Sequence, residues 1–231
     1  MLIDGGAPAE GVETICPYLD RHRIERIDVM VMTHPDYDHS GGLAEIFDCA
    51  EVDAVWVNGD ASDTDEGYLA FIAALGEWGG EPFVPELGYF TAFGDATVTV
   101  IHTLSEAFDD LNNNSMAMRL DYGDFSMVFG ADLHAESQQR VADEAPGTLA
   151  CGVVRVPSHA GYPFSQDFVD ALGAEYALVS VDSTVIPDEY PDQRTLDAYA
   201  DAGMTVLLTE DTGHMTVRLG GAGEIIVEMP L

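Results

Sequence analysis

Short apolar segments of five to seven residues recur along the chain, and turn-forming residues such as Gly, Pro, Asn, Asp and Ser separate them. Their length and their content of Val, Ile, Thr and aromatic residues are typical of β-strands. The pattern predicts ten strands: Asp28–Thr33, Ala54–Asn58, Thr97–Thr103, Ser115–Asp121, Phe125–Gly130, Gly152–Pro157, Tyr176–Val181, Thr205–Thr209, Met215–Leu219 and Glu224–Met229.

Amphipathic stretches, in which apolar residues recur every three or four positions, alternate with these strands and predict helices. They are Gly11–His22, Gly41–Phe47, Thr64–Trp78, His134–Asp143, Ser165–Leu172 and Pro191–Ala202. The segments 121–124 and 220–223 read as hairpin turns. Hairpins combined with helices favour two stacked sheets between helix layers, although periodicity alone also permits other α/β folds.

A dense group of potential metal ligands follows the apolar run 27–32: His34, Asp36, Asp38 and His39 lie within six positions. Alternation along a strand would place neighbouring side chains on opposite faces, but a tight loop at its end can gather them around one point. Two imidazoles and two carboxylates so close together call for a cation. One or two divalent ions would make the group a hydrolytic centre.

Charge is the second unusual feature of the sequence. The chain has 42 acidic and 8 basic residues, every basic residue is Arg, and the net charge is −34. Hydrophobic residues still make up 47% of the 231 positions, which excludes a disordered chain. Self-repulsion on this scale destabilises a compact state in dilute buffer, whereas molar salt shortens the screening length to about 3 Å. We therefore expect a folded, halophilic domain with an acidic surface.

The cysteines and the apolar segments limit the class of protein further. Cys16, Cys49 and Cys151 are widely spaced and form no Cys-x-x-Cys pair, so we expect three buried apolar side chains and no disulfide. No apolar stretch approaches the roughly 20 residues that span a membrane, and no leader pattern is visible. The expected location is the cytoplasm by default, and the oligomeric state stays open.

The ligand group followed by Gly41-Gly42 resembles the His-x-His-x-Asp-His signature of the metallo-β-lactamase superfamily, with Asp36 in place of the second histidine. This version is most similar to the hydrolase domain of ComEC-type DNA-uptake competence proteins. Four further segments fit that family in the same order and extend the resemblance over nearly the whole chain: 2–6, 112–120, 129–133 and 156–161.

The resemblance implies an α/β (α+β) fold, the four-layer αββα metallo-β-lactamase sandwich, as one domain over residues 1–231. ComEC-type relatives begin with earlier strands and a Gly-Gln-Gly-Asp turn, so the first strands of the usual fold are expected to be missing. It also implies two divalent metal ions, with a carboxylate shared between them. The implied ligands are His34 and Asp36 at site one, Asp38, His39 and His159 at site two, and Asp132 as an exposed bridging carboxylate.

Site one lacks its usual third histidine, and three replacements stay open: an asparagine from 112–114, water, or His102. An oxygen-rich site suits Mn²⁺ at least as well as Zn²⁺. The implied reaction is phosphodiester hydrolysis, with DNA as the suggested substrate and a water activated by a binuclear centre. Asp38 and His159 take the catalytic roles, and the residues expected to contact substrate are Asn114, Arg155 and Tyr190.

Two alternatives stay open. A hydrolase of small esters, thioesters or lactams would use the same fold and metals. A degenerate, non-catalytic metal-binding module is the other alternative, because the turn 158–161 keeps one histidine of the family's two and the segment 189–191 lacks another. The charge of −34 also opposes nucleic-acid binding in dilute buffer, where affinity comes from cations that neutralise phosphates.

Overall fold

The computed structural model describes residues 1–103, 108, 110–183, 190–221 and 223–229. They form two compact units. The first unit comprises Met1–Glu86 and Thr103–Met116, and the second comprises Leu87–His102 and Ala117–Leu231. Two residues of predicted turns, Glu189 and Ala222, lie outside the described residues.

The first unit contains five short strands and four α-helices. The strands are β1 (Leu2–Ile3), β2 (Arg26–Ile27), β3 (Met30–Met32), β4 (Glu51–Val52) and β5 (Val55–Val57). The helices are α1 (Cys16–His22), which continues a π-helical turn at Gly11–Ile15, α2 (Tyr37–Ser40), α3 (Leu43–Ile46) and α4 (Glu66–Trp78), and a 3₁₀ turn covers Leu111–Asn114. Parallel pairing orders one sheet β1-β3-β5, and β2 pairs with β4.

The core of the first unit forms around β3, all three residues of which are buried. Met30 and Met32 belong to one apolar cluster with Leu43 of α3 and Phe71 of α4. Burial on both faces is typical of a parallel strand and explains why β3 reads as a continuous apolar run. The strand that precedes the ligand group is therefore held rigidly.

The second unit is built on one seven-stranded sheet in the order β12-β11-β10-β9-β8-β7-β6. Strands β6 to β9 pair antiparallel and strands β9 to β12 pair parallel. The strands are β6 (Phe90–Phe93), β7 (Ala96–His102), β8 (Ala117–Tyr122), β9 (Phe125–Phe129), β10 (Val153–Arg155), β11 (Tyr176–Val179) and β12 (Thr205–Leu208), and a separate hairpin contains β13 (Thr216–Leu219) and β14 (Ile225–Glu228).

Four helices complete the second unit: α5 (Ala135–Glu144), α6 (Gln166–Leu172), α7 (Gln193–Asp201) and α8 (Thr209–Thr212), with 3₁₀ turns at Pro146–Thr148 and Pro157–Ala160. Its core contains Val154 of β10, Phe168 and Leu172 of α6, and Tyr199 of α7. Burial raises the pKa of the Tyr199 phenol well above its usual range, so that side chain stays neutral.

Each of the ten predicted strands and six predicted helices has a counterpart within two residues at most ends. The elements that were not predicted, such as β2, β4 and α2, have two to four residues. Segments of this length are too short to show a detectable apolar periodicity. The tight turn predicted at 121–124 joins β8 to β9, where Tyr122 pairs with Phe125.

The expectation for the cysteines was wrong for two of the three. Cys16 and Cys49 form a disulfide with their Cα atoms 5.9 Å apart, which ties the start of α1 to the turn after α3. A separation of 33 residues gives no indication that these two segments lie side by side. Cys151 is buried as expected, and burial raises the pKa of its thiol to about 11.

Among the helices built from the described residues, none combines the length and the apolar character that a membrane span requires.

Candidate metal centre

In the first unit the ligand group lies where two parallel strands end. Leu2 and Ile3 of β1 pair with Met30 and Val31 of β3, so the chain leaves both strands at the same edge of the sheet. Asp4 follows β1, and Thr33 follows β3. The Asp4 carboxylate accepts hydrogen bonds of 2.8 Å from the Thr33 amide and of 2.8 Å from its hydroxyl. Asp4 thereby fixes the backbone just before the first histidine.

The short helix α2 carries His39 back to the same carboxylate. Nδ1 of His39 lies 2.8 Å from Oδ2 of Asp4, and the His39 carbonyl accepts a 2.8 Å hydrogen bond from the Gly5 amide. A Cβ on Gly42 would lie 2.1 Å from the Gly5 carbonyl oxygen, so a larger residue at Gly42 would force the two segments apart. A Cβ on Gly41 would likewise lie 2.4 Å from the Tyr37 carbonyl oxygen, so both positions of the glycine pair require glycine.

The hydrogen bonds determine which nitrogen of each histidine carries a proton. A carboxylate has no proton to give, so Nδ1 of His39 must donate to Asp4. The single hydroxyl proton of Thr33 goes to Asp4, so its oxygen, 3.1 Å from Nδ1 of His34, must accept from that nitrogen. Both histidines therefore carry the proton on Nδ1 and a lone pair on Nε2, as metal-ligating histidines do.

The Nε2 atoms of both histidines have carboxylates nearby. The two rings lie 4.1 Å apart between centroids, and His34 is completely buried. Its Nε2 has no hydrogen-bond partner, and Oδ2 of Asp36 is 3.6 Å away. An unsatisfied buried polar atom costs about 1–3 kcal/mol. Oδ2 of Asp38 lies 4.0 Å from Nε2 of His39. Two lone pairs beside two carboxylates fit a divalent cation well.

In the second unit Asp132 follows β9 after Gly130 and Ala131, whose φ of +45° turns the chain sharply. Asp132 was expected to be exposed, and this was wrong: it is only 5% exposed. The guanidinium of Arg155, at the end of β10, lies beside the carboxylate, with Nη1 3.3 Å from Oδ1. The same nitrogen donates to the carbonyls of Ala131 and Val156.

His159 occupies a tight turn directly after β10. Ser158, His159 and Ala160 have φ values of +48°, +50° and +61°, an unusual run of left-handed residues. Nδ1 of His159 lies 2.6 Å from the carbonyl oxygen of Ser180, which follows β11, and must donate to it. Its Nε2 is 3.3 Å from Oδ2 of Asp132, and in the neutral imidazole this nitrogen carries the lone pair.

The residues expected to contact substrate occupy different settings. Asn114 is buried, and its side-chain amide donates to Asp60 (2.8 Å) and the Phe108 carbonyl (3.0 Å), while its oxygen accepts from the Phe108 amide. These bonds hold a loop of the first unit. Tyr190 meets the His159 ring edge to face, with centroids 5.7 Å apart, and Arg155 is engaged with Asp132. His102, one of the candidates for the missing third histidine of site one, is buried within β7.

Sequence reasoning missed three residues that orient the candidate ligands: Asp4, Thr33 and Ser180. Asp4 could have been found, because it is a carboxylate directly after a strand in a segment that resembled the family. Thr33 adjoins the motif, but its role depends on the Asp4 contact. Ser180 contributes its backbone carbonyl, which no sequence pattern can reveal.

The sequence matches the model of a known protein family. The model of the family "Metallo-beta-lactamase superfamily" matches residues 1–174. The chain belongs to the metallo-beta-lactamase superfamily. Its predicted family is therefore confirmed, and the fold is one that metallo-hydrolases share.

Two competence proteins are similar to this metallo-beta-lactamase superfamily chain. ComE operon protein 3 of Bacillus subtilis is 22% identical over 210 residues, which cover 90% of this chain and 26% of that protein. Competence protein ComA of Neisseria gonorrhoeae is 21% identical over 224 residues, covering 96% of this chain and 30% of that protein. The chain thus spans about a quarter to a third of the length of these curated relatives.

Two solved structures share the fold. A variant of the CmlA beta-hydroxylase superposes with a TM-score of 0.53 at 16% identity, over 80% of this chain and 43% of that one. The metallo-beta-lactamase fold protein YhfI from Bacillus subtilis gives 0.50 at 12% identity, over 89% and 81%. At these identities the likeness concerns the fold alone, and it confirms the predicted α/β metallo-β-lactamase sandwich.

Proposed function

We propose that this superfamily member is a metal-dependent phosphodiesterase, with nuclease action on DNA as its natural reaction. The proposed ligands of two divalent ions are those of the sequence motifs: His34, Asp36, Asp38, His39, Asp132 and His159. The observation that carries the proposal is shared by all three histidines. In each, an oxygen acceptor fixes the Nδ1 proton and the Nε2 lone pair lies near a carboxylate.

The donor set is consistent with Mn²⁺ or Zn²⁺. Imidazole nitrogens suit Zn²⁺, and the carboxylate of Asp36 in place of a histidine moves the balance toward harder ions such as Mn²⁺. When bound, the ions supply an activated water and positive charge opposite the oxygens of a phosphoryl group. The buried, unpartnered Nε2 of His34 supports a ligand at that position.

The protein's own groups then have distinct tasks. We propose that Asp38 accepts the proton of the attacking water, because its side chain is 34% exposed and solvent reaches it. His159, held by the Ser180 carbonyl, keeps one orientation throughout. Arg155 holds Asp132 in place, and Tyr190 extends from the His159 ring toward substrate. The Asn114 amide already makes three internal hydrogen bonds, so substrate contact at this residue would require one of them to break.

Two features support DNA as the substrate class. Two similar proteins are competence proteins, and the motif resembles the ComEC-type hydrolase domain. The net charge of −34 opposes a polyanion in dilute buffer, but molar salt screens that repulsion. Contact would then depend on the bound ions and on short-range packing rather than on long-range attraction.

The test is hydrolysis of bis(p-nitrophenyl) phosphate in molar KCl, on protein reloaded with Mn²⁺ or Zn²⁺ and assayed for metal content. We expect two ions per chain and turnover, both lost in the double variant Asp38→Ala/Asp132→Ala, whose fold should persist in molar KCl. Asp63→Ala, an exposed carboxylate of the first unit, is the matched control. Hydrolysis that survives in the double variant would contradict the metal mechanism.

The same assay separates the alternatives. Cleavage of a carboxyl ester, thioester or lactam without cleavage of the phosphodiester would favour a small-molecule hydrolase. Metal binding without turnover on any substrate would favour a non-catalytic module.

The Cys16–Cys49 disulfide bears on location. The cytoplasm stays a default prediction, and the disulfide argues against it because such bonds persist in oxidising compartments. We therefore propose that the domain works outside the reducing cytoplasm. Acid-quenching whole cells and then alkylating the thiols in denaturant tests this: one modified cysteine is expected, and three would place the protein in the cytoplasm.

A further inference from the structure

A cavity of about 310 Å³ lies beside the His159 turn in the second unit. Its lining is largely aromatic and polar and consists of His134, Ser158, Gly161, Tyr162, Pro163, Tyr190, Asp192 and Arg194. Most of these positions are outside the candidate ligand set. The cavity therefore needs a separate explanation.

The cavity is fixed to the His159 turn by hydrogen bonds. The Asp192 amide donates to the Ala160 carbonyl (3.0 Å), and the buried hydroxyl of Thr195 donates to the Gly161 carbonyl (2.8 Å). A Cβ on Gly161 would lie 2.6 Å from Cε1 of Tyr190, so only glycine allows this ring to pack against the turn. A ligand in the cavity would thus occupy a constant position relative to His159.

Arg194 is the central group of this cavity. Its guanidinium lies 3.5 Å from the centre of the Tyr162 ring, and Nε and Nη2 donate to the two oxygens of Asp192 at 2.9 and 2.7 Å. The Arg194 hydrogen bonds lower the pKa of Asp192 to about 2, so this carboxylate is ionised at neutral pH. The Arg194–Asp192 pair carries no net charge, and the guanidinium donors Nε and Nη2 are both occupied by Asp192.

This chemistry favours one class of ligand. A guanidinium whose charge and donors are already matched by a carboxylate is a poor clamp for phosphate, which calls for free donors. One face of the guanidinium already stacks on the Tyr162 ring, and a base can stack on the opposite face. Guanidinium planes and tyrosine rings are the surfaces on which bases of single-stranded nucleic acids stack. The Arg194 side chain is 62% exposed, so solvent and ligands reach it.

We propose that the cavity walled by Tyr162, Tyr190 and Arg194 is a nucleobase subsite, which stacks one base of a single-stranded substrate beside the His159 turn. The inference rests on the proposed phosphodiesterase function for its biological role. Tyr190 joins the two sites, because its ring contacts His159 and also lines the cavity. The subsite would select nucleotides over simple phosphodiesters.

The test compares two fluorescein-labelled oligonucleotides of eight units in molar KCl with Zn²⁺, both with a phosphorothioate backbone that resists cleavage: oligothymidylate and an abasic strand of the same charge. Fluorescence anisotropy should show the thymidylate binding about tenfold more tightly, as the stacking of one base predicts. Tyr162→Ala and Arg194→Lys should remove most of that preference and leave abasic binding unchanged. Arg218→Lys is the matched control, since Arg218 is 64% exposed and pairs with Glu228.

Each outcome decides for or against the subsite. Equal affinity for the two strands, or binding of neither, would overturn it, and so would variants that keep the full preference. Equal weakening of both strands by Arg194→Lys would assign Arg194 to the phosphate backbone instead. Base-dependent binding without hydrolysis of bis(p-nitrophenyl) phosphate would refute the proposed function and leave the subsite standing. Circular dichroism and thermal midpoints in the same buffer establish that each variant folds.

Discussion

The two units orient histidines in the same way but with different partners. In each unit the candidate ligands and the groups that orient them follow the ends of parallel strands: β1 and β3 in the first, and β9, β10 and β11 in the second. In the first unit one carboxylate, that of Asp4, orients Thr33 and His39 together. In the second unit the backbone carbonyl of Ser180 orients His159.

This difference affects how each site responds to mutation. Because the Asp4 side chain orients both Thr33 and His39, one substitution at Asp4 should disturb the whole ligand group of the first unit. A carbonyl partner survives any substitution that preserves the backbone, so the second cluster should depend instead on Arg155 and on the left-handed turn at 158–160. The first unit also has a covalent cross-link, which the described residues of the second unit lack.

Loss of the disulfide should have the largest effect. Cys16→Ser with Cys49→Ala opens a cross-link across a separation of 33 residues, and the entropy of that loop predicts a loss of about 3–4 kcal/mol in unfolding free energy. Urea denaturation in molar KCl measures it, and hydrogen exchange should rise in α1 and α3. A reducing agent should act on wild type and on Cys151→Ala alike. An unchanged midpoint would show that the disulfide contributes nothing to this unit.

Asp4→Asn should have the next largest effect. The substitution keeps the shape of the side chain but removes the charge that accepts from both Thr33 and His39. Mutation of a residue that hydrogen-bonds to a metal-ligating histidine lowers metal affinity by about 10- to 100-fold. We expect calorimetry to show a fall of that size in Zn²⁺ affinity. Asp63→Asn, at an exposed carboxylate of the same unit, should bind like wild type. Equal affinities in the two variants would refute the orienting role of Asp4.

Arg155→Gln tests the corresponding charged partner in the second unit. Its guanidinium contacts Asp132 and two backbone carbonyls, so its removal should loosen that carboxylate and lower Zn²⁺ affinity about tenfold. Arg140→Gln, which removes a surface pair with Glu144 on α5, is the control and should change affinity little. If affinity holds while KM for bis(p-nitrophenyl) phosphate rises, Arg155 contacts substrate instead.

Ser180→Ala should have the smallest effect. The bond to His159 uses the carbonyl oxygen, which alanine also provides, so Zn²⁺ affinity should change less than twofold. The comparison with Asp4→Asn is direct, since both residues accept from the Nδ1 of a ligand histidine. A tenfold fall in Ser180→Ala would mean that the Ser180 side chain, and not its backbone, controls this histidine.

The sequence predicted the elements and the ligand motif well because both depend on local patterns. Strand β3 is a buried apolar run, and His34 to His39 lie within the seven positions that follow it. Contacts between distant segments could not be predicted. The Cys16–Cys49 bond, the contact of Asp132 with Arg155 and the Ser180 contact all join residues 21 to 33 positions apart. These contacts depend on strand order, which periodicity does not specify.

Backbone geometry was the other unpredicted part of the candidate site. Ser158, His159 and Ala160 all have positive φ, although none of them is glycine. Non-glycine residues seldom adopt this conformation, and three in succession require tertiary support. That support comes from the Asp192 and Thr195 hydrogen bonds to the turn, which the sequence motif alone did not reveal.

The central claim is that His34, His39 and His159 each carry the proton on Nδ1 and offer Nε2 to a metal ion. Long-range ¹H–¹⁵N correlation spectra of histidine-labelled protein in molar KCl, recorded before and after addition of Zn²⁺, test it directly. Variants with single His→Gln substitutions assign the signals. We predict the Nδ1–H tautomer for all three rings and a shift of each Nε2 resonance on Zn²⁺ binding. Nε2–H tautomers, or Nε2 signals that Zn²⁺ leaves unchanged, would contradict the account.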